Sequence, residues 1–296
     1  MSVVSRCFHY TKADSAIKIL ETGKFKFSKL DGLNDPFDAE ITIFLTKKFD
    51  VCKFLVQAKA LLSADTFAAL YSHASLCENK LKKERRDNFQ DNITATFKNI
   101  RQMHDRHVRL ISCSMSDDIP SMWSHYAGKN TGVVMEFKEV KSGNEQILKI
   151  NKDTNDNNRM IEKVRYRKSP PSHNETKLIE FFVANEKIAK LLKDDQAHTT
   201  MELFLKTALF NKSKHWKYEN ELRIIQFLTL DQNSSNDYYE SVSSSNLKKL
   251  ILGNRISEND EKAIIKLVKS GYDGVQIYKQ TGFRNGYKYS KRIINL

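Results

Sequence analysis

Long apolar runs are missing from this chain: no stretch of its 296 residues approaches the roughly 20 consecutive apolar positions that a membrane-spanning helix needs. A membrane span is therefore not expected. The stretch Met1-Ser2-Val3-Val4-Ser5-Arg6 lacks a basic segment followed by a long apolar one, so no secretory signal is expected either, and the cytoplasm is the expected location. Cysteine is sparse. Cys7, Cys52, Cys77 and Cys113 are widely scattered and make no closely spaced pair of the kind that holds zinc, which leaves reduced, mostly buried thiols and no metal site as the expectation. No Gly-x-Gly-x-x-Gly or Walker loop offers a phosphate cradle, and no internal repeat is visible.

What is present is enough to build a substantial core. Hydrophobic residues make up 40% and aromatic residues 10% of the chain, which excludes a mainly disordered one. The length suits one large domain over 1–296 carrying an insertion. Lys and Arg number 49 against 36 Asp and Glu, a net charge of +13 with a pI near 9.4. Such an excess favours an anionic partner, a nucleic acid or a phosphorylated ligand. Lysines spread along the whole chain fit a merely soluble surface equally well.

The stretch His215-Trp216-Lys217-Tyr218-Glu219-Asn220-Glu221-Leu222-Arg223 organises the rest, because two carboxylates and a guanidinium alternate as they enter an apolar run. With Leu222, Ile224 and Phe227 favouring a strand over 221–228, a period of two puts Glu219, Glu221 and Arg223 on one face. Two readings fit that row. The carboxylates do chemistry at a strand mouth, or Glu221 and Arg223 form a partly buried ion pair that fixes the strand.

Upstream, an apolar strand over Val3–Tyr10 ends in His9-Tyr10-Thr11; Thr11 and Asp14 then resemble a cap for a helix carrying Ile17 and Leu20 and stopped by Gly23. A short strand over 25–28 precedes Asn34-Asp35-Pro36-Phe37-Asp38, whose composition reads as a turn. A helical pattern fills about 49–107 and includes the charged run Lys80–Arg86, an exposed helix face or a docking surface. Strands are expected over 108–114 and 131–137. Between them Pro120 begins a short helix that Gly128 ends, carrying Trp123, His125 and Tyr126, aromatics that either plug a core or form a wall for a flat ring. Residues 138–160 read as a loop or hairpin, 163–167 as a strand, and helices begin near Glu175 and Thr199. Beyond a Ser- and Asn-rich linker over 233–246 come a strand over 250–253, a helix opened by Ser257 and Asp260 and closed by Gly271, and two closing strands around Gly282–Gly286.

His9-Tyr10-Thr11, Asn34-Asp35-Pro36-Phe37-Asp38, Met122-Trp123-Ser124-His125-Tyr126-Ala127, the Trp216–Arg223 stretch and Leu247–Gly253 together resemble a widespread bacterial domain-of-unknown-function family that is similar to the ADP-ribosyltransferase superfamily. The resemblance spans almost the whole chain. It implies an α+β fold in which a split, twisted β-sheet grips NAD as substrate. It further implies that His9, with Tyr10 and Thr11 beside it, contacts the adenosine ribose; that Tyr126, or Trp123, stacks on nicotinamide; and that Glu221 and Glu219 are catalytic. On charge alone, Arg6 and Arg223 are candidates to hold the pyrophosphate of the cofactor. The middle motif departs from the Ser-Thr-Ser of arginine-modifying members, so the acceptor, protein or nucleic acid, is not carried over. An enzyme that cleaves the nicotinamide–ribose bond, acting as a toxin or phage-defence effector, is one expectation. An inactive nucleotide- or nucleic-acid-binding module of the same fold is the other.

Overall fold

The computed structural model describes residues 6–35, 37–38, 44–75, 83–94, 108–137, 159–169, 172–180, 182–183, 209–228, 237–241, 246–284 and 288–295. The chain folds as two compact units, each assembled from separated segments. Met1–Gly32, Val108–Val164 and His215–Leu296 make the first, and Leu33–His107 with Arg165–Lys214 the second.

Numbered in chain order through both units, the strands of the first are β1 (Cys7–Thr11), β2 (Lys24–Phe27), β4 (Val108–Ser114), β5 (Val133–Phe137), β6 (Arg159–Lys163), β10 (Glu221–Phe227), β11 (Tyr238–Ser241), β12 (Leu247–Leu252), β13 (Gln276–Arg284) and β14 (Lys288–Ile294). Eight of them form one mixed sheet in the order β14-β13-β12-β5-β1-β4-β10-β6, in which only β12 and β13 run parallel. β2 and β11 pair separately, so the stretch expected to be a linker over 233–246 contains a strand. With helices packed on this sheet, the unit has the expected α+β character.

Alternation along the strands sorts the side chains onto two faces. One face is apolar and carries Cys7, Ile111, Cys113, Val133, Met135, Leu222, Ile224, Leu250 and Leu252. The helices Ala13–Thr22 and Glu258–Gly271 cover it with Ala13, Ala16, Leu20, Ile264 and Val268, residues spaced to share one side of each helix. Gly23, with φ of 62°, closes the first helix as expected, its N–H donating to the Ile19 carbonyl at 2.8 Å. The expected Thr11–Asp14 cap does not form: Lys12 occupies the cap position and makes no side-chain cap bond, because the strand continues through Thr11. Ser257 does cap the second helix, accepting from the Asp260 N–H at 3.1 Å. Cys7 and Cys113 are buried and free; their mutual hydrogen bond, then burial, push the Cys113 thiol well up, which keeps it unreactive.

The sheet nearly divides in its middle. β1 pairs with β5 along its whole length, from Cys7↔Phe137 to Thr11↔Val133, but meets β4 at one register pair, Phe8↔Ser114. Side chains bridge the opening: His9 Nδ1 lies 3.2 Å from the Ser112 carbonyl, and the Tyr10 hydroxyl donates to the Ser116 carbonyl at 2.9 Å. The free edge of β4 is met by Ser28, which exchanges backbone bonds of 2.8 and 2.9 Å with Leu110. These bonds give partners to the Ser112 and Ser116 carbonyls and to both backbone groups of Leu110 where the strands part.

In the second unit, helices occupy Val51–Leu61, Ala64–Ser75 and 83–94, within the stretch read as helical over 49–107. Asp50 caps the first, accepting from the N–H groups of Cys52 and Lys53. Phe49, Phe54 and Phe89 pack together at the core of the unit. Two short parallel pairs accompany them, β3 (Phe44–Leu45) with β8 (Ser172–His173) and β7 (Arg165–Arg167) with β9 (Asn211–Ser213). The Asn34–Asp38 motif is the expected turn, closed by the Asp38 N–H donating to the Asp35 carbonyl at 2.9 Å, and Asp38 forms a buried ion pair with Lys212 at 3.3 Å. Lys80, Lys82 and Cys77, the helix expected near Thr199 and most of the 138–160 loop lie outside the described residues.

Candidate functional site

The face opposite the apolar one carries the chemistry-bearing residues. Phe8, Tyr10, Val134 and Ile251 lie on it, covered by Met122, Trp123 and Ala127 from the segment after β4 and by Tyr289 of β14. Phe8 registers with Ser114, Ser114 with Glu221 and Ser112 with Arg223, and residues directly opposite share a face. Ser112, Ser114, Glu221 and Arg223 therefore form a polar row beside the aromatic residues.

Glu221 and Arg223 alternate on β10 as expected and hold each other. Arg223 Nε donates to Glu221 Oε1 at 2.7 Å and Nη2 to Oε2 at 3.1 Å, with the residues 0% and 4% exposed. Ser112 Oγ donates to the same Oε1 at 2.6 Å. A forked, charge-assisted pair in this setting fixes both side chains.

Glu219 is not on the strand. It ends the 3-10 turn Lys214–Glu219, and Asn220 follows with φ of 45°, a left-handed backbone that redirects the chain before β10 starts. The expected single row of Glu219, Glu221 and Arg223 is thus broken between its first two members. The turn is tied down from β4: Ser114 Oγ donates to the Glu219 carbonyl at 2.7 Å and the Met115 N–H to the Asn220 carbonyl at 2.9 Å. The Glu219 carboxylate, with the residue 2% exposed, accepts the Tyr126 hydroxyl at 2.5 Å.

Tyr126 follows the short helix Pro120–His125, which ends at His125 rather than at the expected Gly128; Gly128 begins a separate 3-10 turn. Tyr126 is half-buried and packs against the same cluster as Tyr218. Trp123 is fully buried, its indole N–H donating to the Asp117 carbonyl at 3.0 Å and its ring meeting Tyr10 edge-on at 5.5 Å. It fills the core, and Tyr126 is the one of the two with surface to offer a ligand. Burial pushes the Tyr10 phenol far above its ordinary range, so it serves as a neutral donor to Ser116.

The remaining sequence-derived candidates go elsewhere. His9 and Thr11 alternate with Tyr10, and His9 registers with Met135 of the apolar face, where its ring meets Phe25 edge-on at 5.2 Å. The structure brings Tyr10, Trp123, Tyr126, Glu219, Glu221 and Arg223 to one face and His9 and Thr11 to the other. Ser112 and Ser114 were overlooked; their signal is alternate placement on a strand, which gains meaning only when the partner's register is known. Among the described residues, no group of three or more His, Cys, Asp or Glu side chains is placed to hold a metal ion. Nor, among them, is any helix long and apolar enough to cross a membrane.

Close backbone approach holds the aromatic segment against the sheet. The Gly132 N–H donates to the Ala127 carbonyl and the Gly253 N–H to the Gly132 carbonyl, each at 2.9 Å. A Cβ on Gly253 would stand 2.1 Å from the Asn130 carbonyl oxygen, with backbone on both sides of the clash. Gly253→Ala is therefore expected to cost about 1–3 kcal/mol, read as a lower unfolding midpoint in a thermal melt; an unchanged midpoint would mean the segment yields freely.

The fold and site define an α+β protein with a near-divided sheet and a polar face of two carboxylates, an arginine and a tyrosine. Residues 122–224 match the model of a family described as protein of unknown function (DUF2971). The matched stretch contains Trp123, Tyr126, Glu219, Glu221 and Arg223 and supports a domain-of-unknown-function family. No curated protein and no solved structure matches the chain.

Proposed function

We propose that the first unit is an ADP-ribosyltransferase-like enzyme that uses NAD as substrate and cleaves the bond between nicotinamide and its ribose. The observation that carries this reading is the buried Glu219 carboxylate hydrogen-bonded to a half-exposed tyrosine, on the face where β1 and β4 part after one register pair. When the glycosidic C–N bond breaks, its electron pair leaves with nicotinamide and the ribose becomes a cation, neutralised as an acceptor's lone pair bonds the anomeric carbon. A carboxylate fixed nearby in a water-poor site stabilises that charge as carboxylates do in glycoside hydrolysis. The Tyr126 ring suits the cationic nicotinamide. Arg223, committed to Glu221, positions that carboxylate rather than holding the pyrophosphate.

A second reading, a binding module without turnover, is favoured by one observation. Both oxygens of Glu221 are engaged by Arg223, and Ser112 adds a third bond. Calorimetric titration with NAD and a nicotinamide-release assay separate the two: binding with release is expected, binding without release selects the module, and neither discards both. Tyr126→Phe keeps the ring and is expected to keep NAD affinity. Tyr126→Ala is expected to weaken it on the order of tenfold with the fold intact. Equal affinities for the two variants would remove Tyr126 from the site.

A further inference from the structure

The Lys214–Glu219 turn and the end of the Pro120–His125 helix place a run of rings side by side at the surface of the first unit. Trp216 and Tyr218 have centroids 6.0 Å apart with planes inclined by 42°. Tyr218 and His125 follow at 6.3 Å and 33°, and His125 meets Tyr126 at 6.4 Å and 68°. Trp216, Tyr218 and Tyr126 are half-buried, His125 is exposed, and exposed Lys217 sits between Trp216 and Tyr218 in the turn. The run ends on the Tyr126 hydroxyl, whose partner is the Glu219 carboxylate.

We infer that this ladder is a binding surface for single-stranded nucleic acid. A core plug would be enclosed as Trp123 is, whereas these rings keep part of their surface in solvent. Partly exposed aromatic rings, here tilted against one another rather than stacked on each other, suit unpaired bases, because every base has a stacking face and the contact tolerates any sequence. The backbone of such a strand is a line of negative charge. Lys217 stands among the rings to meet it, on a chain with a net charge of +13. Duplex DNA fits poorly, since its bases are stacked on each other and are withheld from side-chain rings. A protein partner lacks the repeating negative charge that the lysine excess complements. The binding surface stands independently of the NAD reading; only the further step, a base or phosphate delivered to Tyr126 and Glu219 as ADP-ribose acceptor, rests on it.

The test uses the full chain without NAD. Fluorescein-labelled mixed-sequence oligonucleotides, single-stranded DNA, single-stranded RNA and duplex, are titrated by anisotropy at low and moderate salt. The expected result is saturable binding of single strands, weaker binding of duplex, and quenching of tryptophan fluorescence. The chain has two tryptophans, and with Trp123 fully buried the quenched one is Trp216. Trp216→Ala and Tyr218→Ala are each expected to weaken binding on the order of tenfold. Lys217→Glu, at an exposed position where folding is not at stake, is expected to weaken binding and flatten its salt dependence. Absence of binding at low salt overturns the inference. So does binding that prefers duplex, or binding that all three variants leave unchanged. Failure of NAD binding or nicotinamide release leaves the ladder untouched, so the two proposals fall separately.

Discussion

Glu221→Gln is expected to lower the stability of the first unit by about 3–5 kcal/mol, the cost of stripping a buried cation of its carboxylate. The Arg223 side chain has no exposed surface and its Nε and Nη2 both donate to the Glu221 carboxylate, at 2.7 and 3.1 Å. A glutamine at 221 keeps one acceptor oxygen but offers an N–H₂ group where the second oxygen stood, so one guanidinium donor faces another donor. The Ser112 hydroxyl, which donates to the same carboxylate at 2.6 Å, loses a charged acceptor as well. The effect sits inside the sheet, where β10 is paired on both sides by β4 and β6, and it should appear as a thermal midpoint lower by on the order of 10 °C. The double variant Glu221→Leu with Arg223→Met distinguishes lost attraction from stranded charge. Replacing both partners by apolar groups removes the unpaired ion, so the double variant should melt nearer the parent than Glu221→Gln does. A Glu221→Gln protein that melts with the parent yet releases no nicotinamide would return Glu221 to the reacting position and remove its structural role.

The two roles assigned to one glutamate show where sequence and structure part. Period-two alternation on β10 was legible, because Leu222, Ile224 and the β-branched neighbours make a strand whichever face they reach. The helix caps at Gly23 and Ser257 were legible for the same local reason, since glycine and serine act within a few residues; the closing strand pair was also legible, but β13 runs on through Gly282, which the sequence placed in the turn. Glu219 was misplaced because one residue, Asn220, takes a left-handed backbone that no pattern of apolar residues announces. Which face of the sheet each alternating row meets could not be read. His9 and Tyr10 are neighbours in sequence, yet one reaches toward Phe25 and the other toward Trp123, and which goes where depends on pairing with β5. The second unit was hidden for a different reason, since Leu33–His107 and Arg165–Lys214 close on each other across a stretch that belongs to the first.

Glu219→Gln is expected to leave the fold in place and to reduce nicotinamide release on the order of a hundredfold or more, the usual loss when a preorganised charge is taken from a transition state. The turn that carries Glu219 is held through its backbone, by Ser114 Oγ on the Glu219 carbonyl and by the Met115 N–H on the Asn220 carbonyl, and neither bond involves the carboxylate. A glutamine still accepts the Tyr126 hydroxyl, so the aromatic wall keeps its place while the negative charge goes. Neutralising a side chain that is 2% exposed also removes a desolvation cost, which opposes any loss of stability. This asymmetry sets the two glutamates apart: Glu221 should fail in the melt, Glu219 in the assay. Thermal midpoint, NAD affinity by calorimetry and nicotinamide release are measured on Glu219→Gln and the parent together. Parent-like release from a folded, NAD-binding Glu219→Gln protein would strip the carboxylate of its catalytic role and leave the tyrosine contact as packing alone.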